Sequence, residues 1–188
     1  MLDGCAESFG TLYDRRQGGV YRFAMRMTGS EAFAEDVTQD VFLALMREGC
    51  KFDPERGSVK SYLYGMARHR VLRRLERERA HVAFEDEDGG TSEEMPSAAD
   101  DPFADLAREE LVSLVRQAVL TLPAHFREVI VLCHLQEMNY AEAGEILACP
   151  VGTVRSRLAR ARTLLVGKLR ALKEPALDER VLKAGQAI

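Results

Sequence analysis

The sequence lacks several features that would assign it to common classes of protein. A membrane-spanning helix needs about 20 consecutive apolar residues. No apolar run in the 188 residues approaches this length. Its first ten residues contain neither the basic segment nor the apolar stretch of a secretion signal. We therefore expect a protein that works in the cytoplasm and has no membrane insertion of its own.

Cysteine is scarce and dispersed. The four cysteines include no CxxC pair, and the four histidines are equally scattered. This spacing is unlike a disulfide framework or a zinc cluster and fits buried thiols in a reducing compartment. We expect no metal site and no cofactor. A composition that is 46% hydrophobic is sufficient, at this length, for one or two compact domains.

Strand patterns are also missing, since no stretch shows the strict alternation or the density of β-branched residues that strands favour. Apolar residues recur instead at helical spacing, as in Val37, Val41 and Leu45. The sequence predicts an all-α fold of two small helical domains joined by a flexible acidic linker. The predicted ranges are 1–80 for the first domain, 81–104 for the linker, 105–173 for the second domain and 174–188 for a short tail.

The net charge of -4 conceals a segregation of charge along the chain. Seven basic residues lie between Lys60 and Arg79, and seven more, with no acid, lie between Arg155 and Lys173. The stretch from Glu85 to Asp105 holds nine acids and no base, and its polar composition predicts flexibility. Because local charge selects a partner, the two basic blocks are candidates for binding nucleic acid.

Residues 139–158 have the layout of a helix-turn-helix. Asn139 is placed to cap the first helix, and Thr153 to cap or open the second. Val154, Leu158 and Ala161 recur at helical spacing, so we expect them to face a core and to turn arginines outward. The C-terminal domain is therefore predicted as a four-helix unit whose last two, shorter helices are joined by a tight turn.

The outward face of the second helix suits the major groove of DNA. Arginine pairs with the guanine edge there, and serine contacts bases or phosphate. A basic helix face that is merely solvated is the alternative. The predicted DNA-contacting residues of this helix are Thr153, Arg155, Ser156, Arg157, Ala159 and Arg160.

Residues 147–162, LACPVGTVRSRLARAR, closely resemble the promoter-reading helix-turn-helix of the extracytoplasmic-function (ECF) sigma factors, the smallest members of the bacterial housekeeping-type sigma family. Leu122-Pro123 and the following Phe126-Arg127-Glu128-Val129 resemble the opening of the same domain. The resemblance covers both predicted domains. It implies a transcription initiation factor, not an enzyme, that directs core RNA polymerase to promoter DNA.

Residues 34–42, AEDVTQDVF, resemble the family's polymerase-docking helix, which binds the coiled-coil clamp of the polymerase's largest catalytic subunit. Asp36, Gln39 and Asp40 occupy the matching polar positions, and their i, i+3, i+4 spacing gives one acidic stripe. A merely solvated helix face is the alternative, and without the second domain it is the interpretation that the stripe favours. The resemblance implies polymerase contacts from Asp36, Gln39, Asp40 and Phe42.

Residues 52–79 resemble the family's segment that melts DNA and captures a flipped base of the minus-ten element. By this resemblance the loop 52–60 cradles the extruded base, and the following helix contacts the opened non-template strand. Tyr62 and Tyr64 are either stacking surfaces for bases or ordinary core residues. The implied DNA-contacting residues of this segment are Lys60, His69, Arg70, Arg73 and Arg74.

Three features depart from the family's pattern. Tyr62 stands in place of the usual tryptophan and His69 in place of a common asparagine, which leaves the base preference at the minus-ten element open. Ala143-Gly144 replaces a bulkier pair in the first helix of the helix-turn-helix. Because this change removes apolar volume and adds a glycine cost of about 1 kcal/mol, we expect a less stable C-terminal domain.

Members of the family are typically held inactive by an anti-sigma protein, so the resemblance implies such a partner. Two rival functions remain open. A helix-turn-helix repressor or activator would dimerise and bind duplex DNA without polymerase. An enzyme or thiol redox sensor would use Cys133, His134 or Cys149. The sequence also leaves open whether the two domains pack together.

Overall fold

The computed structural model describes residues 3–48, 52–82 and 102–185. Every regular element within these ranges is helical, which confirms the predicted all-α fold. The helices are α1 (Asp3–Thr28), α2 (Glu31–Glu48), α3 (Val59–Val82), α4 (Pro102–Leu120), α5 (Ala124–Ile130), α6 (Tyr140–Leu147) and α7 (Val151–Gly185). A 3₁₀ turn at Pro54–Arg56 precedes α3, and a π-helical turn at Val131–Leu135 continues α5. Most of the predicted acidic linker, residues 83–101, lies outside the described residues.

Helices α1, α2 and α3 form the first module around a shared apolar core. Phe23, Val37 and Leu63, one from each helix, are at most 1% exposed. Helix α1 ends where Gly29 adopts a φ of 74°, a left-handed conformation that is accessible to glycine at little cost. The Gly29 amide donates to the Met25 carbonyl at 2.8 Å. Gly29 therefore sets the boundary between α1 and α2.

Helices α4 to α7 form the second module, in which Val129, Leu132 and Leu158 are at most 2% exposed. A complete capping box fixes the start of α6. The Asn139 side chain accepts from the Glu142 amide at 2.9 Å, and the Glu142 carboxylate accepts from the Asn139 amide at 3.1 Å. The cap predicted at Asn139 is confirmed.

Helix α7 is much longer than predicted. The sequence predicts a shorter helix followed by a tail at 174–188, whereas α7 spans 35 residues. Its start also differs, because the amides of Thr153 and Val154 donate to the Pro150 carbonyl. Thr153 therefore lies inside the first turn, and its predicted role as the cap or opening residue of this helix is wrong. Among the described helices, none combines the length and hydropathy that crossing a membrane requires.

The two modules pack against each other through buried polar contacts. Arg127 of α5, which is 9% exposed, donates to backbone carbonyls that include those of Met27 and Leu120. Met27 lies in the last turn of α1 and Leu120 ends α4, so one guanidinium satisfies carbonyls at the ends of two helices. In the opposite direction, Arg26 of α1 donates to the Leu135 carbonyl. These contacts join both modules to one continuous core.

An ion pair also crosses between the modules. Arg68 of α3 donates from Nε to Glu128 Oε1 at 2.7 Å and from Nη2 to Glu128 Oε2 at 3.3 Å. The Glu128 side chain is only 2% exposed. Because an unpaired buried carboxylate is costly, this bidentate pair holds α3 against α5.

Gly144 has a packing role that the sequence does not reveal. A Cβ atom at this position would lie 2.9 Å from the backbone carbonyl oxygen of Cys149, closer than such atoms normally approach. The Cys149 amide donates to the Gly144 carbonyl at 3.0 Å, which closes the turn between α6 and α7. The glycine therefore permits the tight turn. This packing role accounts for a glycine whose helix propensity is unfavourable at this position.

Gly144→Ala is expected to destabilise the chain although alanine favours helix. Alanine gains about 1 kcal/mol at an open helical position, but overpacking against fixed atoms costs about 1–3 kcal/mol. Thermal unfolding followed by circular dichroism should show a lower Tm. The matched control is Gly167→Ala in α7, where a Cβ meets nothing within 4 Å and the Tm should stay the same or rise. Equal rises in Tm for both variants would contradict the packing argument.

Candidate nucleic-acid interface

The acidic stripe, formed by Asp36, Gln39 and Asp40, lies on the exposed side of α2. Val37 and Val41, which alternate with it, are at most 1% exposed and face the core. The helical spacing thus places two carboxylates and one amide on a single face. This face offers negative charge and hydrogen-bonding groups to a partner.

Phe42 lies on the buried side of the same helix and is 3% exposed. Its ring packs edge-on against Tyr13 and Phe9 of α1, with centroid separations of 4.8 and 6.3 Å. A ring in this position is inaccessible to polymerase, so the structure does not support the direct contact predicted for Phe42. The side chain instead holds α2 against α1 and so gives the acidic stripe a rigid base.

Asp40 also contacts a residue that the sequence assigns to DNA binding. Arg70 of α3 donates from Nε to Asp40 Oδ2 at 3.2 Å and from Nη2 to the Asp40 carbonyl at 3.3 Å. The Asp40 side chain is 63% exposed, so the pair is open to water and contributes little to stability. The acidic stripe and the basic face of α3 meet at this pair.

The basic face of α3 includes His69, Arg73 and Arg74, all of which are exposed. Arg74 donates to Glu78 at 2.6 Å, and its guanidinium lies 5.3 Å from the centroid of the Phe33 ring. Arg73 lies one helical turn after His69, so the two side chains are neighbours on the helix surface. The face therefore offers arginine cations together with the flat imidazole ring of His69, and groups of these two kinds bind single-stranded nucleic acid.

A groove of about 470 Å³ lies beside this basic face. We call it the aromatic groove; its lining includes Phe52, Tyr62, Met66 and His69. The ring centroids of Phe52 and Tyr62 are 5.6 Å apart, and such rings are suited to stacking on an unpaired base. Met66 is absent from the residues predicted to contact DNA, and Phe52 is included only as the first residue of the loop 52–60. The sequence signal for Phe52 is its aromatic ring at the start of the loop that is predicted to capture a base, since an aromatic ring can stack on that base.

The two tyrosines of α3 have different environments. Tyr62 is half-buried and lines the groove, whereas Tyr64 is 4% exposed. Tyr64 packs edge-on against Phe23 at a centroid distance of 5.6 Å and donates to Gln136 Oε1 at 3.2 Å. Burial raises the pKa of the Tyr64 hydroxyl, which keeps it a neutral donor. Tyr64 is therefore a core residue, whereas the Tyr62 ring is accessible from the groove.

The second module contributes one acidic side chain to the aromatic groove and a second one beside it. Glu145 of α6 lines the groove and accepts from Ser61 Oγ at 2.7 Å. Glu142, three residues earlier, accepts from Lys60 Nζ at 2.8 Å. The hydrogen bond from Lys60 lowers the pKa of the Glu142 carboxyl. Lys60, which the sequence assigns to DNA, is thus held by an acid of the other module.

Helix α7 exposes the arginine-bearing side that the sequence predicts. Val154, Leu158 and Ala161 are at most 2% exposed, which confirms the predicted core-facing side. On the opposite side lies the recognition face, composed of Arg155, Ser156, Ala159 and Arg160, all exposed. Thr153 and Arg157 flank it and are half-buried.

Arg155 has an aromatic neighbour on the first helix of the helix-turn-helix. Its guanidinium carbon lies 5.7 Å from the centroid of the Tyr140 ring, within the range of a cation–π contact. Ser156 Oγ donates to the Thr153 carbonyl at 3.0 Å. Both contacts restrict side chains that would face a DNA groove.

The environment of Cys133 is unfavourable for a nucleophile. The thiol is half-buried, and burial raises its pKa, which disfavours the reactive thiolate. The neighbouring His134 accepts from Arg162 Nε at 3.0 Å, and burial lowers the pKa of this imidazole. His134 therefore engages an arginine, and this contact does not resemble a nucleophile with its base.

Comparisons with known proteins cover both modules. A family model described as Sigma-70 region 2 matches residues 12–81, and one described as Sigma-70, region 4 matches residues 113–165. The ECF RNA polymerase sigma factor SigW of Bacillus subtilis is 30% identical over 174 residues, covering 90% of this chain and 92% of SigW. SigK of Mycolicibacterium vanbaalenii is 31% identical over 155 residues, covering 81% of this chain and 77% of SigK.

Two solved structures resemble the fold over most of the chain. The sigma factor RpoE, in a co-crystal with the anti-sigma factor NepR from Bartonella quintana, gives a TM-score of 0.66 at 22% identity, covering 87% of this chain and 98% of RpoE. CnrH in complex with the cytosolic domain of CnrY gives a TM-score of 0.63 at 26% identity, covering 88% of this chain and 90% of CnrH.

Proposed function

The chain belongs to the extracytoplasmic-function sigma factors of the sigma-70 family, and we propose that it directs core RNA polymerase to a particular set of promoters through the surfaces described above. One observation carries the assignment of those surfaces. The described part of α2 exposes four carboxylates, α3 exposes three arginines, and α7 exposes four arginines with no acid before residue 174. The carboxylates on α2 suit a protein partner, whereas the arginines on α3 and α7 suit the phosphates of DNA.

In this proposal the acidic stripe on α2 binds the coiled-coil clamp of the polymerase's largest catalytic subunit. Asp36 and Asp40 supply charge, and Gln39 adds a hydrogen-bonding amide between them. The buried ring of Phe42 acts indirectly, because it fixes the helix on which the stripe lies. A rigid, preformed surface reduces the entropy that is lost on binding.

Two further surfaces bind the promoter. The recognition face of α7, flanked by Thr153 and Arg157, enters the major groove of the minus-thirty-five element, where arginine reads guanine. The aromatic groove receives a flipped base of the minus-ten element, while Lys60, His69, Arg70, Arg73 and Arg74 contact the opened strand. Binding energy of this kind favours the open promoter over the closed one.

The chain is not an enzyme in this proposal, because polymerase supplies the chemistry and the factor supplies binding. It acts in the cytoplasm, where polymerase meets the chromosome. We also propose that an anti-sigma protein controls it. RpoE, which resembles this chain in fold, was solved with the anti-sigma factor NepR. A partner that covered the exposed acidic stripe would block access to polymerase.

Run-off transcription with purified core polymerase on genomic fragments tests the proposal. Promoter-specific products are expected only when both the chain and the polymerase are present. If no such product appeared while the chain alone protected duplex DNA from cleavage, the hypothesis of a helix-turn-helix repressor would replace the proposed function. Alkylation confined to Cys133 should leave transcription intact, because this thiol is half-buried and lies outside the proposed interfaces.

A further inference from the structure

Helix α6 lies against the surface that the proposed function gives to the opened DNA strand. Its Glu142 and Glu145 lie on one face, three residues apart. Glu142 Oε1 is 2.8 Å from Lys60 Nζ, and Glu145 Oε2 is 2.7 Å from Ser61 Oγ. We call these two hydrogen bonds the closing contact. Because Ser61 and Glu145 both line the aromatic groove, their half of the closing contact lies at the groove's own edge, and Lys60 is the residue next to Ser61 in α3.

The closing contact continues along the same side of α3 into the buried interface. Tyr64 and Arg68 follow Lys60 at successive turns of the helix. Tyr64 donates to Gln136, and Arg68 forms its bidentate pair with Glu128. One side of α3 is therefore engaged over three turns by residues of the second module.

The other two proposed interfaces are open in this arrangement. The acidic stripe on α2 and the recognition face on α7 are both exposed. Packing of the modules therefore affects the aromatic groove selectively. Polymerase and duplex DNA can reach their surfaces while Glu145 still lines the groove and Glu142 still holds Lys60.

We propose that α6 substitutes for the DNA strand in the free chain, with Glu142 and Glu145 placing carboxylates where the phosphates of the opened minus-ten strand would bind. A strand and α6 then compete for Lys60 and Ser61, since carboxylates at the groove repel phosphate. The inference rests on the proposed function of the groove. The two modules therefore have to separate before the minus-ten strand binds. They do not have to separate before the chain first binds polymerase.

Zero-length carbodiimide cross-linking tests the contact in the unmodified chain. It joins an amine to a carboxylate that is already paired with it, so a Lys60–Glu142 cross-link is expected in the free chain by mass spectrometry. A single-stranded oligonucleotide of random sequence should suppress this cross-link, and so should core polymerase when it holds the modules in a holoenzyme with an opened promoter. Absence of the cross-link, or its persistence with the strand bound, would overturn the proposal.

A pair of variants tests the competition. Glu142→Gln/Glu145→Gln removes both charges, and glutamine at position 142 still serves the capping box. The free variant should bind a fluorescent single strand of random sequence roughly threefold or more tightly than the natural chain, the size expected for two partly exposed charged contacts. Glu109→Gln/Glu137→Gln changes the net charge equally at exposed acids outside the groove and should bind as the natural chain does. Equal gains for both variants would overturn the proposal.

Run-off transcription separates the two levels of inference. If the variant and its control bind single strands equally while the holoenzyme still starts at specific promoters, the competition by α6 is wrong and the sigma-factor function stands. If neither the natural chain nor any variant supports promoter-specific transcription, the proposed function itself fails.

Discussion

Asp36→Lys is expected to weaken association with core RNA polymerase at least about tenfold while leaving the fold intact. Reversing one charge in a complementary interface costs more than about 1.4 kcal/mol, which corresponds to that factor. Asp36 is exposed, and exposed substitutions usually change stability by less than about 0.5 kcal/mol. Titration of a fluorescently labelled chain with core polymerase measures the affinity, and thermal unfolding measures the stability.

The matched control is Glu35→Lys, which introduces the same change of charge one residue earlier. Glu35 is also exposed, but it points about 100° away around the helix. Its variant should therefore retain nearly all of the affinity. Asp36 is a cleaner test than Asp40, because Asp40 also contacts Arg70. Equal losses for the two lysine variants would indicate a general electrostatic effect and would remove the acidic stripe as the docking surface.

Local rules are sufficient to predict much of the fold. The boundary at Gly29 follows from glycine's access to positive φ, and the start of α6 follows from the side-chain chemistry of Asn139 and Glu142. Helical spacing correctly assigns Val154 and Leu158 to the core. Each of these features depends on residues within a few positions of one another, and sequence patterns report on that range.

The packing between modules depends on contacts that no local pattern contains. Arg127 binds a carbonyl at Met27, a hundred positions away, and a backbone carbonyl offers no sequence signal. The role of Gly144 similarly depends on how closely the Cys149 carbonyl approaches in the folded turn. The covering of the aromatic groove by α6 follows from this packing, so the sequence predicts the groove without predicting what lies against it.

The tyrosines of α3 differ in a way that the period of the helix already implies. Tyr62 and Tyr64 are two residues apart, which separates them by about 200° around a helix. Both cannot face the same core. The structure buries Tyr64 and leaves Tyr62 in the aromatic groove, so periodicity alone would have indicated opposite roles, though not which tyrosine had which.

Arg155→Ala/Arg160→Ala is expected to lower affinity for a promoter duplex by at least about thirtyfold. Each bidentate arginine–guanine contact contributes about 1–3 kcal/mol of discrimination. Both side chains are exposed on the recognition face, so their loss should leave the core of the second module unchanged. Fluorescence anisotropy should compare a duplex taken from a promoter found by run-off transcription with one whose minus-thirty-five element is scrambled.

The matched control is Arg170→Ala, which removes an exposed arginine from the same helix ten residues beyond Arg160. At about 1.5 Å of rise per residue, this position is about 15 Å further along the axis and beyond the recognition face. Its variant should retain the preference for the promoter over the scrambled duplex. An equal loss of affinity on both duplexes for the double variant would mean that Arg155 and Arg160 contact phosphate alone, since phosphate contacts carry no information about sequence.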